Sequence, residues 1–437
     1  MNPATRESSR LQVFKEDRRV GMLSSDTAGR ITFTYDEDVL EDPSAVVSVR
    51  LPVRRKPYPD HQALPCFENL LPEGELRSLL ATSVHLSVGD IVGQLGVFGG
   101  ECAGALSLWP EGSAPSRTPE YRSCTAAEIR GTFGMARGRA RLARALRLGR
   151  LSMSGTQDKV VLYRRPAIGP GARGGSPQYR LPVAGAPSTV LVKRDRSRFP
   201  GLVQNELAAM SLMEAAGVPT ASHARHALDS TLYETARFDR ALLPDGTVMR
   251  QHAEDGCQLT GRASVAKYAQ RGGPTFADFI AALARYGADP LEDGERLFRW
   301  AVANLALGNR DAHAKNVSVL HIQPMTIRLA PAYDVVCTLA YPELDDVLPL
   351  RFGGQLALAA LTPHSLVKAA REFRLAPARA RELTADVCDR ISASVSTILG
   401  DVERTVGEDD VLHRMEAAVR TQTALVRKTL LSKQSVK

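Results

Sequence analysis

The chain has 437 residues, 44% hydrophobic and 24% charged, which are ordinary globular values for a length that needs two or three cores. No apolar run approaches the roughly 20 residues of a membrane-spanning helix, and the opening MNPATRESSR lacks the apolar core of a secretory signal, so a cytoplasmic protein with no membrane partner is expected. A formal net charge of +8 permits nucleic-acid binding without requiring it.

Residues 1–120 read as a small α+β unit. ITFTYD (Ile31–Asp36) alternates like a half-buried strand, CFENLLPEGELRSLLA (Cys66–Ala81) reads as a helix, and GGECAGALSLWPEG (Gly99–Gly112) as a short strand bounded by glycines. GSAPSRTPE (Gly112–Glu120) has the composition of a linker. In the second region, 121–245, a polar, Gly-bearing loop opens into the strand KVVLY (Lys159–Tyr163). Pro166–Ser188 is turn-rich and reads as a connection, TVLVKRD (Thr189–Asp195) as a strong strand, and Leu202–Pro219 as a helix closed by Gly217 and Pro219. TLYETARFDR (Thr231–Arg240) is strand-like. Residues 246–437 read as mainly helical; Glu292–Asn309 is apolar nearly all round, as a buried central helix would be.

The six cysteines are scattered without C-x-x-C spacing, which fits buried thiols in a reducing compartment. The nine histidines show no metal-ligand spacing; His223 and His226 stand three apart, in a segment with no nearby acidic ligand.

Chemistry concentrates in GNRDAHAKNVSVL (Gly308–Leu320). Asp311 and Asn316 have the D-x-x-x-x-N spacing with which kinases and small-molecule phosphotransferases present a catalytic acid and a metal-binding amide on one loop. Asp334, in APAYDVVC, follows 18 residues beyond Asn316 and suits a second Mg²⁺ ligand. Lys193 lies in a strand, as a phosphate-pairing lysine does, and Glu206, thirteen residues on, can hold it as an ion pair. Each residue taken alone also fits a structural place: a snorkelling lysine, a solvent-facing glutamate, an Asx-turn, a cap. Their joint order, Lys, Glu, Asp-x4-Asn, Asp, favours phosphoryl transfer. A small-molecule phosphotransferase and a catalytically silent binding partner remain open.

Taken together, LSMSGTQDKVVL, VQNELAAMSLMEAAGVP, ETARFDR, GNRDAHAKNVSVL and APAYDVV resemble the HipA serine/threonine kinases, the toxin halves of bacterial toxin–antitoxin modules. FENLLPEGE and GGECAGALSL extend the resemblance over nearly the whole chain. It implies an α+β, two-lobed protein-kinase-like fold with an additional small N-terminal α+β subdomain and a mainly helical C-terminal lobe. It implies ATP and Mg²⁺ as cofactors, with Asp311 catalytic, Asn316 and Asp334 as metal ligands and Lys193 on the ATP phosphates. Ser154, Gly155, Thr156, Gln157 and Lys159 resemble the family's phosphate-binding loop, and Ala236 to Phe238 its adenine-holding hinge; the family commonly has Glu where Ala236 stands. His313 and Lys315 belong to the same signature, with structural or phosphate-facing roles.

The resemblance makes Ser152 the autophosphorylation site whose modification silences the kinase, with Ser154 as a rival; Arg139, Arg141, Arg144, Arg147 and Arg150 could receive the phosphate or simply form a solvated helix face. It also implies a helix-turn-helix antitoxin dimer, operator DNA bound through that complex, with Arg371 and Arg374 as candidates for phosphate contacts, and a protein substrate such as an aminoacyl-tRNA synthetase.

Overall fold

A computed structural model of the chain describes residues 9–134, 159–165, 177–195, 198–407 and 409–432. The first unit contains β1 (Arg10–Lys15), β2 (Arg18–Ser25), β3 (Ile31–Tyr35) and β4 (Leu106–Pro110). They form an antiparallel sheet of order β3-β2-β1-β4. Alternation puts Val13, Leu23, Ile31 and Phe33 into a buried core. Helices α1 (Asp60–Phe67) and α3 (Ile91–Phe98) pack on the sheet, and α2 (Gly74–Ser83) lies between them in sequence.

The single helix expected over 66–81 is broken. After α1 comes a 3-10 turn, Glu68–Leu70; Leu71 is then extended, because the Pro72 ring disfavours helical backbone in the residue before it. The break turns Glu68, Asn69 and Glu73 outward from their own unit, toward the rest of the chain.

The second unit is a six-stranded antiparallel sheet. Its strands are β5 (Glu120–Ser123), β6 (Lys159–Arg165), β7 (Gln178–Val183), β8 (Val190–Arg194), β9 (His223–Arg225) and β10 (Leu232–Ala236), in the order β5-β7-β6-β8-β10-β9. Strand β7 falls in the stretch read as a connection. Tyr179 and Leu181 alternate into the core, and Pro182 lies beyond the residues that pair with β6, so its missing N–H costs no bond to that strand. Helix α4 (Ala126–Gly134) adds Ile129 and Phe133 to this core, and α5 (Leu202–Ala215) runs beside β8. Central register sets Lys193 opposite Lys159 on β6 and opposite Tyr233 on β10.

The remainder is mainly helical, with β-structure that the sequence reading missed: a hairpin of β11 (Arg240–Leu242) and β12 (Val248–Arg250), and a three-stranded sheet of β13 (Ala253–Asp255), β14 (Ser318–Gln323) and β15 (Thr326–Leu329). The helices are α6 (Gly256–Thr260), α7 (Phe276–Tyr286), α8 (Pro290–Leu307), α9 (Pro363–Glu372), α10 (Pro377–Val406) and α11 (Asp410–Leu431). Asp289 caps α8 by accepting from Glu292 N, and Pro290 fits its first turn. Leu297, Phe298 and Val302 are almost wholly buried, each worth about 1.5–3 kcal/mol of transfer free energy. Helices α5, α8, α10 and α11 pack around this core, and among the described residues no helix is long and apolar enough to cross a membrane.

Buried polar ties bind the first unit to the others. Glu254 accepts from Ser48 Oγ (2.6 Å), Val49 N (2.9 Å) and His321 Nε2 (2.7 Å). The neighbouring His252 ring meets Val47 O through Nε2 at 2.9 Å and Ala105 N through Nδ1 at 3.4 Å. The sequence showed no metal-ligand spacing, yet His252, Glu254 and His321 bring ligand-type atoms within 4.8 Å of one another. Their hydrogen bonds make the trio an inter-unit knot. Gly104 shows how close the units come: it has φ +72°, and a Cβ there would lie 2.7 Å from Ala253 N.

Candidate active site

The cleft lies where the three units meet. Helix α8 ends at Gly308, which takes φ +67° and reverses the chain into the Asp311 loop. Hydrogen bonds from its own polar groups fix that loop. Asn309 Nδ2 donates to Asn304 Oδ1 (2.7 Å), Asp311 N to Asn309 Oδ1 (2.9 Å), and Arg310 N to Thr338 Oγ1 (2.8 Å). Asn316 Nδ2 donates to Asp311 O at 2.9 Å, which turns the amide oxygen of Asn316 away from the loop backbone.

Asp311 has 49% of its side chain open to the cleft. Desolvation by the surrounding wall still raises its carboxyl pKa, against the Tyr268 hydroxyl, which donates to Oδ1 at 2.7 Å, and the nearby Lys267 ammonium. A half-exposed carboxylate with a raised pKa can accept or steer a hydroxyl proton.

Across the cleft, Lys193 Nζ lies 2.5 Å from Glu206 Oε1 and 2.5 Å from Asp334 Oδ1. Burial alone would lower the lysine pKa; the two carboxylates outweigh it and raise it well above the usual value. Burial likewise opposes the charge on Asp334, yet Lys193 and Lys159 hold its carboxyl far below the ordinary range. Glu206 is almost fully buried, and burial pushes it up to about 7 despite Lys193. Asp334 has φ +59°, a left-handed conformation costing a non-glycine residue on the order of 1 kcal/mol. Lys159 is buried beside Lys193, and desolvation lowers it to about 8.

Ala236 and Phe238 line the same cleft. Ala236 N already donates to Ser222 O at 2.7 Å, and the Phe238 ring packs at a tilt against Tyr333, centroids 5.1 Å apart. His313 is buried against Tyr268, and burial pushes its pKa well below the usual value, so it is neutral; its Nδ1 has no hydrogen-bond partner. Lys315 is a structural tie: its Nζ donates to Asn69 O (3.0 Å), Asn69 Oδ1 (2.9 Å) and Asp255 Oδ2 (2.6 Å), which takes all three protons. Ser152, Ser154, Gly155, Thr156 and Gln157, and the arginines from Arg139 to Arg150, lie outside the described residues. Arg371 and Arg374 are exposed around the end of α9.

The sequence reading missed what the N-terminal unit brings. Asn69, Glu73, Glu101, Cys102 and Ala103 line this cleft. Glu73 Oε2 lies 2.6 Å from Lys267 Nζ. Glu101 meets Arg237 Nη1 and Arg250 Nη2, both at 2.7 Å, while Asp239 accepts from Gly104 N at 2.7 Å. The R-F-D-R segment (Arg237–Arg240) thus clasps the loop after α3. ETARFDR and GGECAGALSL had marked these segments only as part of the family resemblance, not as residues that meet.

This donor set suits a nucleotide with a divalent cation. Asp334 and the Asn316 amide offer hard oxygens, Lys193 and Lys159 offer positive charge, and His313 lines the same cleft.

Comparison with known proteins bears on family and fold. The family model described as the HipA-like C-terminal domain matches residues 151–395, and that of the HipA N-terminal domain matches 11–109. The Sinorhizobium fredii protein Y4mE is 32% identical over 427 residues, which is 95% of this chain and 98% of that one. The Shewanella oneidensis serine/threonine-protein kinase toxin HipA is 27% identical over 297 residues, 64% of each chain. A solved structure of the Shewanella oneidensis HipA, HipB and operator DNA complex superposes with a TM-score of 0.78 at 22% identity, covering 96% of this chain and 97% of that one; the fold is shared.

Proposed function

The chain belongs to the HipA family, and from that premise we propose that it is an ATP-dependent serine/threonine protein kinase acting as a toxin. One observation carries the reading. Lys193 is held between Glu206 and Asp334 on one wall, while Asp311 and Asn316 face the same cleft from the other. Lys193 and Lys159 orient the phosphates. Asn316 and Asp334 would hold Mg²⁺, which when bound offsets charge on the phosphates. Asp311 accepts or steers the proton of the acceptor serine hydroxyl. Positioning and preorganised charge supply the rate.

The protein acceptor is a serine, with an aminoacyl-tRNA synthetase as one candidate. Ser152 is the site of self-silencing phosphorylation. A helix-turn-helix antitoxin dimer neutralises the toxin and carries it to operator DNA, where Arg371 and Arg374 meet phosphates. The partner proteins in the Shewanella oneidensis complex support this part of the reading.

The test is intact mass after incubation with Mg²⁺–ATP, for wild type and Asp311→Ala, followed by mapping of added phosphate. Phosphate on Ser152 in wild type alone is expected. A folded, active Asp311→Ala protein would sink the assignment of Asp311. Nucleotide binding without any transfer would point to a silent DNA-bound partner instead.

A further inference from the structure

We propose that Lys267 is the side chain that meets the terminal phosphate of the bound nucleotide, held ready by Glu73 of the N-terminal unit; this rests on the kinase reading above and deepens it.

Transfer from a nucleotide needs positive charge at two places: along the phosphate chain and at the group that moves. Among the described residues, four lysines line the cleft: Lys159, Lys193, Lys267 and Lys315. Lys159 and Lys193 face each other across β6 and β8, on the wall opposite the Asp311 loop. Lys193 is fixed by two carboxylates, each at 2.5 Å. Lys315 has every proton committed to Asn69 and Asp255. That leaves Lys267 on the side of the catalytic acid.

Its place fits the task. Lys267 precedes Tyr268, whose hydroxyl donates to Asp311 Oδ1 at 2.7 Å, so the ammonium and the hydroxyl that holds the acid come from one short turn. The Lys267 carbonyl accepts from Ala314 N at 3.1 Å, which fixes that turn against the catalytic loop. The side chain is 11% exposed, and its carboxylate partner is Glu73 Oε2 at 2.6 Å. An ammonium carries three protons, so Lys267 can keep Glu73 and still donate to a phosphate oxygen. Glu73 reaches this spot because Pro72 breaks the helix before it. The N-terminal unit therefore sets the charge at the transfer end of the cleft.

The experiment is equilibrium binding of Mg²⁺–ADP and of the non-hydrolysable analogue Mg²⁺–AMPPNP to the full chain, as wild type, Lys267→Met and Lys267→Arg. Lys267→Met is expected to weaken AMPPNP on the order of tenfold or more, the worth of a charge-assisted hydrogen bond, and to leave ADP within about twofold. Lys267→Arg should restore most of the analogue affinity. ADP affinity reports that the cleft is intact; should the Met variant unfold, Lys267→Gln, which can still donate to Glu73, carries the same expectation. Equal weakening of both nucleotides, or none for AMPPNP, overturns the assignment and leaves the kinase reading standing. A wild-type chain that binds neither nucleotide overturns both.

Discussion

Lys193 Nζ and Asp334 Oδ1 lie 2.5 Å apart although 141 residues separate them in the chain. The contact joins the β-sheet wall to the loop after β15. The same ammonium meets Glu206, whose side chain is 1% exposed. Removing it strands a buried carboxylate. Lys193→Met is therefore expected to abolish transfer and to cost about 3–5 kcal/mol of stability. Lys193→Met with Glu206→Gln should regain much of the stability and none of the activity. Urea unfolding and a transfer assay on the two variants decide this; a double variant no more stable than the single one counts against the pairing as the source of the loss.

Tyr268 adjusts Asp311. Its hydroxyl donates to the carboxylate and so favours the charged form, against a desolvation that disfavours it. Tyr268→Phe removes the donor. The Asp311 pKa then rises further, and the acid limb of the pH–rate profile moves to higher pH, while the rate on the plateau stays within about tenfold. A limb that stays in place with a uniformly lower rate would show that Tyr268 acts only on packing.

The residues the sequence made legible share a local signature. Asp311 and Asn316 sit on one loop, and Lys193 and Glu206 on a strand and the next helix, so spacing along the chain encodes their meeting. Glu73, Glu101, Lys267 and Tyr268 carry no such mark. Glu73 and Lys267 stand 194 positions apart in the chain, and the contact exists only because the two units dock. The break at Pro72 was hidden by apolar residues on both sides, which imitate one helix. Strand β7 was hidden by the glycines and prolines before it, whose composition outweighed the alternation of Tyr179 and Leu181. The two-lobed fold class came from the family resemblance, whose motifs survive such local errors.

Glu101 anchors the docked unit. It is surrounded by Arg237, Arg240 and Arg250, and despite full desolvation these guanidiniums hold its carboxyl below the usual range. Glu101→Gln would leave Arg237 and Arg240 with Asp239 as their acidic partner and take the carboxylate at 2.7 Å from Arg250. A loss of about 3–5 kcal/mol is expected, with weaker nucleotide binding as the Cys102–Ala103 wall loosens. Arg55→Ala makes a useful contrast. Its pair with Glu37 is 75% and 71% exposed, and its loss should cost under about 1 kcal/mol. Equal costs for the two variants, by urea unfolding, would remove the special role of Glu101.

The His252 knot makes stability depend on pH in a stated direction. Burial, then the charges of His321 and Lys15, hold the folded His252 pKa well below the ordinary histidine value of about 6.5. The unfolded chain takes up a proton near 6.5 that the folded protein refuses. Below that pH the unfolded state binds more protons, so stability present above 6.5 is lost as pH falls, by up to about 1.4 kcal/mol per pH unit for this group. His313 acts in the same direction, as does His226, which burial lowers to about 4. Replacement isolates the knot. His252→Gln should be less stable than wild type at pH 7.5, because the bridge between Val47 O and Ala105 N is lost. It should also have one fewer titrating group, so the gap between the proteins narrows at pH 5.5. Urea unfolding at the two pH values measures the gap, and one that stays constant would show that His252 does not hold the units together as a neutral ring.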